Sequence, residues 1–501
     1  MSNWLFDALT TAPDDRLWLD NADGRRFTYG DLRHLTARLA HVLTQAGLQP
    51  GDRVAANTDK SPEAFALYLA TVRAGGVYLP LNTAYTAAEL AYFIGDAEPR
   101  VFVTPPGRES EARELAADAT VQTLGADGVS GSLNEQASRQ SNAFETASRT
   151  PDDLAAILYT SGTTGRSKGA MLSHSNLLAN ARTLADHWRF TANDVLIHAL
   201  PIYHTHGLFV AGNVVLLSGA SMIFQPKFEA TAVLDAMPRA TVIMGVPTFY
   251  TRLVQEFRFN RETTANLRLI ISGSAPLLAQ THEQVRTMTG HSVLERYGMT
   301  ETNITVSNPY DGDRIAGTVG QALPGVDLRI VDPDTGKPVT EGAVGMIEVR
   351  GDCVFRGYWR QPEKTAAEFR VDGFFITGDL GVRDSRGYVS IVGRGKDLII
   401  SGGFNVYPKE VEGEIDAIDG VFESAVIGVP HPDFGEAVVA MVVLKPGAIL
   451  EESSVINGLQ SRLAAFKRPK RVIQLDTLPR NAMGKVQKAD LRQRYSDLFK
   501  K

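Results

Sequence analysis

A single cysteine, Cys353, stands in a chain of 501 residues, so no internal disulfide can form. Catalytic thiol chemistry and Cys-rich metal sites are disfavoured, and a reducing compartment fits, which makes the cytoplasm the expected location. Cys353 itself reads as a small buried apolar residue. The opening Met1-Ser2-Asn3-Trp4-Leu5-Phe6-Asp7 lacks the basic region and apolar run of a signal peptide. Long hydrophobic runs are missing too. The richest stretch, Gly207 to Phe224, is interrupted by Asn213, Ser218, Gly219 and Ser221, and reads as a buried strand–helix segment rather than a membrane span. An excess of positive charge is also lacking: the net charge of −6 argues against a general nucleic-acid binder. No Gly-x4-Gly-Lys-Ser/Thr run occurs, which disfavours a P-loop nucleotidase, and no 20–50-residue repeat is evident.

What is present describes a soluble globular protein, with 44% hydrophobic and 22% charged residues and too much chain for one core. Up to residue 105, helical spacing (Leu32, Leu35, Leu39, Leu43) alternates with short apolar strands such as Arg53–Ala56, Val77–Pro80 and Val101–Val103. That alternation predicts an α/β fold with a parallel sheet. Residues 105–150 read as a surface excursion with little strand content. A second α/β series runs from Ala155 to about Asn308, and short β segments fill 315–392. A small α+β domain follows, with a helix carrying Val411, Ile415 and Ile418, a hairpin (Ser424–Val429, Ala437–Leu444), a helix at Val455–Ala465, a strand at Arg471–Leu475 and a last helix at Lys488–Tyr495. The expected division is 1–395 and 396–501, at Arg394-Gly395-Lys396.

The strongest chemical signal is Tyr159-Thr160-Ser161-Gly162-Thr163-Thr164-Gly165-Arg166-Ser167-Lys168-Gly169, read as lying between an apolar strand and a helix. Glycines let backbone N–H groups converge on an anion, hydroxyls add donors, and Lys168 adds charge, so phosphate binding outweighs a plain Ser/Gly linker. This loop resembles the signature of the adenylate-forming superfamily, which includes acyl-CoA synthetases, luciferases and peptide-synthetase adenylation domains. Further segments resemble that superfamily in its expected order. Pro201-Ile202-Tyr203-His204-Thr205-His206-Gly207 is similar to its acyl-pocket and gate segment, and Gly273-Ser274-Ala275-Pro276 to its adenine-binding turn. Tyr297-Gly298-Met299-Thr300-Glu301 is similar to the segment whose Tyr stacks on adenine, whose Thr meets phosphate and whose Glu holds Mg²⁺. Thr377-Gly378-Asp379 resembles the ribose site, and Gly393-Arg394-Gly395-Lys396-Asp397 the hinge, with Arg394 near ribose and phosphate. Pro479-Arg480-Asn481-Ala482-Met483-Gly484-Lys485 resembles the catalytic-lysine motif.

The resemblance implies a large α/β domain with a β-rich subdomain, followed by a small mobile α+β domain. It implies an ATP-dependent, AMP-forming acid–CoA ligase that uses Mg²⁺ and coenzyme A. Lys485, Thr300, Glu301 and His206 are the implied catalytic residues, with Glu301 the metal ligand. Thr160 to Gly165, Lys168, Ser274 to Pro276, Tyr297, Gly298, Asp379 and Arg394 would hold ATP. Lys396 would be the hinge, and Ser401, Gly402 and Gly403 would line the CoA path. Taken singly, Glu301 and Asp379 read as solvated carboxylates and Lys485 as a surface lysine; the shared motif context decides otherwise. It also implies reversible acetylation of Lys485 by an acetyltransferase–deacetylase pair.

Two arginines bear on the acid. Arg252 and Arg296 fall in segments that the resemblance places beside the acyl group, and a buried guanidinium there calls for a second carboxylate. Each could instead pair with Glu256 or Glu295. Ser272 adds a hydroxyl and His206 borders the same region. Leu294–Thr302 and Pro201–Gly207 resemble malonyl-CoA synthetases in particular, which implies malonate as the acid and methylmalonate as a tolerated variant. The alternatives are a ligase for another short, medium-chain or aromatic acid, and a non-catalytic ATP-binding sensor.

Overall fold

The computed structural model describes residues 2–160, 167–481 and 485–500. By internal packing the chain divides into two compact units, Met1–Asp327 with Val349–Phe375, and Leu328–Glu348 with Ile376–Lys501. The first unit is built on two sheets. One has nine strands in the order Gln321–Ala322, Asn303–Ser307, Leu294–Met299, Leu269–Ser272, Val242–Gly245, Val195–His198, Ser221–Phe224, Leu17–Asn21 and Arg26–Thr28. Its middle strands are parallel, and both flanks are antiparallel. The other has six: Thr120–Thr123, Val101–Thr104, Arg53–Ala56, Val77–Pro80, Leu154–Thr160 and Lys168–Ser173.

Local chemistry sets the elements. The helix Tyr29–Gln45 starts at Thr28, whose hydroxyl accepts from Asp31 N while the Asp31 carboxylate accepts from Thr28 N. Its Leu32, Leu35, Leu39 and Leu43 are all buried, as their spacing requires. The 105–150 stretch is more ordered than its composition suggests, because Thr120–Thr123 pairs parallel with Val101–Thr104 at the sheet edge. Only Val121 supplies an apolar side chain there. Gln122 and Thr123 are tolerated because Ser132 and Gln136 bond to them.

The glycine-rich loop does not run from strand to helix. Leu154–Thr160 pairs antiparallel with Lys168–Ser173, Thr160 opposite Lys168, so the loop joins two neighbouring strands. The helix His174–His187 begins only afterwards, on a Ser173–Asn176 capping box. The helix that follows in sequence therefore begins beyond the strand Lys168–Ser173 rather than directly after the glycine-rich segment.

The second unit holds most of a four-stranded sheet (Val326–Val331, Gly345–Gly351, Phe375–Arg383, Val389–Arg394) and a five-stranded sheet centred on the long hairpin Val421–His431 and Gly435–Leu444. The helix Pro408–Asp416 buries Val411 and Ile415 against this hairpin. The helix expected at Val455–Ala465 is shorter and earlier, at Glu452–Gly458. Among the described residues no helix is long and apolar enough to cross a membrane.

Asp194 anchors the strand that opens the central series. Its carboxylate accepts from Thr191 N, the Thr241 hydroxyl and both Nε and Nη2 of Arg268, all within 2.7–2.8 Å. Burial pushes its pKa up, but these donors outweigh burial and hold it below the ordinary aspartate value of 3.8. Asp194→Asn is expected to destabilise the first unit by about 3 kcal/mol, read as a lower urea midpoint. Because the folded pKa is depressed, the gap from wild type should be full above about pH 5 and shrink as pH falls through the folded value.

Candidate active site

Ser272, Arg296 and His206 come together where the parallel strands of the nine-stranded sheet end. Ser272 closes the strand Leu269–Ser272, Arg296 lies in the next strand, and His206 opens a π-helical turn, His206–Ala211. The carboxyl ends of parallel strands are the usual place for ligands in open α/β sheets. Arg296 is 4% exposed, and its Nε and Nη2 have no hydrogen-bond partner. The guanidinium lies against the backbone of Gly273: a Cβ built on that residue would sit 2.5 Å from Arg296 Nε and Nη1. A larger residue there would require the guanidinium to shift. Burial pulls the Arg296 pKa down to about 9, with the nearby Tyr250 opposing, so the group stays charged near neutral pH.

Ser272 Oγ and His206 Nε2 are likewise buried without a partner. His206 Nδ1 lies 3.1 Å from the Ser274 hydroxyl, and Ser274 adopts a left-handed backbone (φ 72°) that few non-glycine residues occupy. Burial, followed by the charge of Arg296, pushes the His206 pKa well below its ordinary value, so the imidazole is neutral. Two polar side chains with unspent hydrogen bonds, Ser272 and His206, lie with one charged guanidinium that has unspent bonds of its own. Such a group costs stability unless something answers it.

Arg252 differs from expectation. It lies in the helix Pro247–Leu253, whose Phe249, Tyr250 and Leu253 are buried, but its own side chain is exposed. The premise of two buried guanidiniums therefore holds for one of them, Arg296. Neither arginine forms an ion pair with Glu256 or Glu295 among the described residues.

A second cluster surrounds Glu301, which is buried. Thr160 Oγ1 donates to Glu301 Oε1 at 3.3 Å, and the Tyr358 hydroxyl lies 3.1 Å from the same oxygen and 2.6 Å from Glu368 Oε2. Glu368 Oε1 takes both Lys168 and Lys364, each at 3.0 Å, and Lys168 Nζ sits 4.1 Å over the Tyr358 ring. Burial raises the Glu368 pKa, but donors from Tyr358, Lys168 and Lys364 outweigh it and leave the carboxyl below its ordinary value. Tyr358 and Glu368 did not stand out in the sequence, since no spacing links them to Glu301 or Lys168. A buried carboxylate such as Glu301 suits Mg²⁺, which is commonly held by one or two carboxylates together with nucleotide phosphates. Of the loop residues expected to cradle phosphate, Ser161, Gly162, Thr163, Thr164 and Gly165 lie outside the described residues. Ser274, Ala275 and Pro276 form the turn after Ser272, and Tyr297 and Gly298 flank a bulge in the strand that carries Arg296. Thr300 lies in the turn that leads into Glu301.

In the second unit, Asp379 is buried and opposes Arg394 across two strands, with Arg394 Nε donating to Asp379 Oδ1 at 2.8 Å. Lys396 lies in the short helical turn Gly395–Asp397, where burial lowers its pKa. Gly402 (φ 59°) and Gly403 (φ 82°) make the two-residue turn between Ile399–Ser401 and Phe404–Val406, both central positions needing the left-handed region. Lys485 is exposed. Its N donates to Asn481 Oδ1, and Asn481 N donates to Lys485 O, both at 3.0 Å, closing a turn whose Ala482, Met483 and Gly484 lie outside the described residues.

Comparison with known proteins supplies the context for this geometry. The AMP-binding enzyme family matches residues 5–359, and its C-terminal domain matches residues 410–485. The crystal structure of ATP-bound MatB from Rhodopseudomonas palustris is similar at 63% identity with a TM-score of 0.98, over 99% of this chain and all of that one. A malonate–CoA ligase of Arabidopsis thaliana is 33% identical over 94% of this chain and 85% of its own length. An indoleacetate–CoA ligase of Aromatoleum aromaticum is 36% identical over 94% of this chain and 93% of its own.

If Arg296 is kept for a ligand rather than for the fold, Arg296→Met should leave the thermal midpoint unchanged or raise it. Replacing buried charge by an apolar side chain of similar volume is commonly neutral or stabilising by about 1–4 kcal/mol. A drop of several degrees in a melting scan would make the guanidinium a structural element instead.

Proposed function

We infer the function from one premise: this chain belongs to the AMP-binding enzyme family. We propose that it is an AMP-forming acid–CoA ligase that joins malonate to coenzyme A, splitting ATP to AMP and pyrophosphate through a malonyl-adenylate. The observation that carries the choice of acid is the buried, partnerless edge of Arg296. A malonate–CoA ligase and an indoleacetate–CoA ligase are similar to this chain at 33% and 36% identity, whereas MatB is similar at 63%, and the pocket chemistry agrees with the malonate reading. An aryl or fatty acid would leave the guanidinium unanswered, whereas a second carboxylate meets it with charge-assisted hydrogen bonds.

In this reading one malonate carboxylate lies on Arg296, with Ser272 Oγ and His206 Nε2 completing its hydrogen bonds. Arg252, exposed on its helix, adds positive charge at the approach. The other carboxylate attacks the α-phosphorus, and pyrophosphate leaves. Glu301 would hold Mg²⁺, which neutralises phosphate charge when bound; Lys168, Thr160, Thr300 and the glycine loop would hold the phosphates. Tyr297 and the Ser274–Pro276 turn would bind adenine, and Asp379 with Arg394 the ribose. Lys485 would stabilise charge as the carboxylate meets the α-phosphate. In the second half-reaction the CoA thiol attacks the acyl carbon and AMP leaves. A small domain from residue 396, turning about Lys396, would withdraw Lys485 and bring Ser401, Gly402 and Gly403 to the thiol's path. Acetylation of Lys485 would remove the charge the first half-reaction uses.

Pyrophosphate release across an acid panel tests the acid. Malonate should exceed hexanoate and benzoate by about 10⁴-fold in kcat/KM, with methylmalonate closer, because a missing polar partner is discriminated far more strongly than an added methyl. Hexanoate or benzoate matching malonate would sink the assignment. For the mechanism, Lys485→Ala should lower adenylation by at least about 10²-fold yet leave thioester formation from supplied malonyl-AMP within a few-fold of wild type. Equal loss in both steps would refute the alternation of domains.

A further inference from the structure

Lys60 is a lysine the mechanism does not use, and its surroundings are unusual. It follows the strand Arg53–Ala56 of the six-stranded sheet and reaches the end of the strand Val195–His198 in the nine-stranded one. No carboxylate pairs with it among the described residues. Its Nζ lies 2.9 Å from His198 Nδ1 and 2.8 Å from His198 O, and 4.3 Å over the face of Phe224. An ammonium has three donors, and these three groups receive them. Burial pulls the pKa of Lys60 well down, the cost of placing it there.

The arrangement fixes His198. Its Nε2 lies 2.8 Å from Gly207 O, which can only accept, so Nε2 carries the proton and Nδ1 presents its lone pair to Lys60. Lys60 thus selects the tautomer that lets His198 donate to Gly207. Gly207 belongs to the π-helical turn His206–Ala211, a wider coil that is marginal by itself and recurs at functional sites. The residue before Gly207 is His206, with Nδ1 on Ser274 and Nε2 unspent. A continuous path leads from Lys60 through His198 and the Gly207 carbonyl to the imidazole beside Arg296.

We propose that Lys60 and His198 are positioning residues for the acid pocket: they pin the π-helical turn so that His206 meets the substrate's second carboxylate. This rests on the reading of the pocket given above. A purely structural alternative is that the pair only ties the two sheets together, in which case an apolar replacement would disturb ATP and acid use alike.

The test is steady-state kinetics on the full-length enzyme, varying malonate and ATP separately, for His198→Leu, His198→Gln and Lys60→Met. Glutamine carries an acceptor for Lys60 and an amide N–H for Gly207 O; leucine carries neither. His198→Leu should raise the KM for malonate about 10-fold while the KM for ATP stays within about twofold, the size expected for losing one oriented hydrogen bond in the pocket. His198→Gln should recover to within about threefold of wild type, and Lys60→Met should move the malonate KM in the same direction as leucine. Should His198→Leu not fold, the Gln and Met variants decide alone. Parallel rises in both KM values, an unchanged malonate KM in Lys60→Met, or no recovery with glutamine would overturn the proposal. The wild-type acid panel in the same assay reports separately on the choice of malonate.

Discussion

A guanidinium buried without an acid beside it is the constraint around which the first unit is arranged. Removing a charge from water is expensive, and the fold offers Arg296 neither a paired carboxylate nor solvent on Nε and Nη2. The guanidinium lies against the backbone of Gly273, where a side chain would make it shift. Beside it Tyr250 is fully buried, with its hydroxyl committed to Ile271 O at 2.5 Å, so it offers Arg296 no acceptor charge. In the proposed reading specificity would come from what the site leaves unmet, a stronger filter than the fit of an apolar cavity.

Much of this was legible in the chain. The leucine spacing of residues 32–43, the apolar strands and the long C-terminal hairpin each carry a local periodicity, and each formed where that periodicity put it. Arg296, Ser272 and His206 could be singled out because they sit inside ordered motifs. What failed was information that lives in tertiary structure. The glycine-rich segment reads as lying between an apolar strand and a helix, yet Lys168–Ser173 pairs with Leu154–Thr160 and is itself a strand. The edge strand Thr120–Thr123 escaped notice because its polar side chains are satisfied by residues more than eight positions away. Arg252 was a misreading that helical periodicity could have prevented: Phe249, Tyr250 and Leu253 share the buried face, which puts residue 252 off it.

Lys168 and Arg296 also differ in how their charge is answered. Lys168 is already neutralised by Glu368, but that carboxylate oxygen is shared with Lys364. Lys168 can therefore turn toward a phosphate without stranding a half-buried anion, since Lys364 and Tyr358 remain. Arg296 has no such substitute. In the proposed reading, a cation whose counter-charge is shared suits a triphosphate that departs in pieces, and an unshared one suits a group held through both half-reactions.

The neutrality of His206 completes the argument. Burial and the adjacent Arg296 together keep the imidazole uncharged, so the three-residue cluster carries one positive charge rather than two. One charge matches one carboxylate. A doubly charged pocket would compete for the reacting carboxylate as well, holding both ends of a short diacid and blunting the nucleophile that must reach phosphorus. With a single cation, the remote end is neutralised and the reacting end is left to the nucleotide's side of the site. For a diacid whose carboxylates are separated by one carbon, fixing the remote end also fixes the reacting end to within a few rotations. In the proposed reading, the unmet hydrogen bonds around Arg296 would select the substrate and aim it in the same contact.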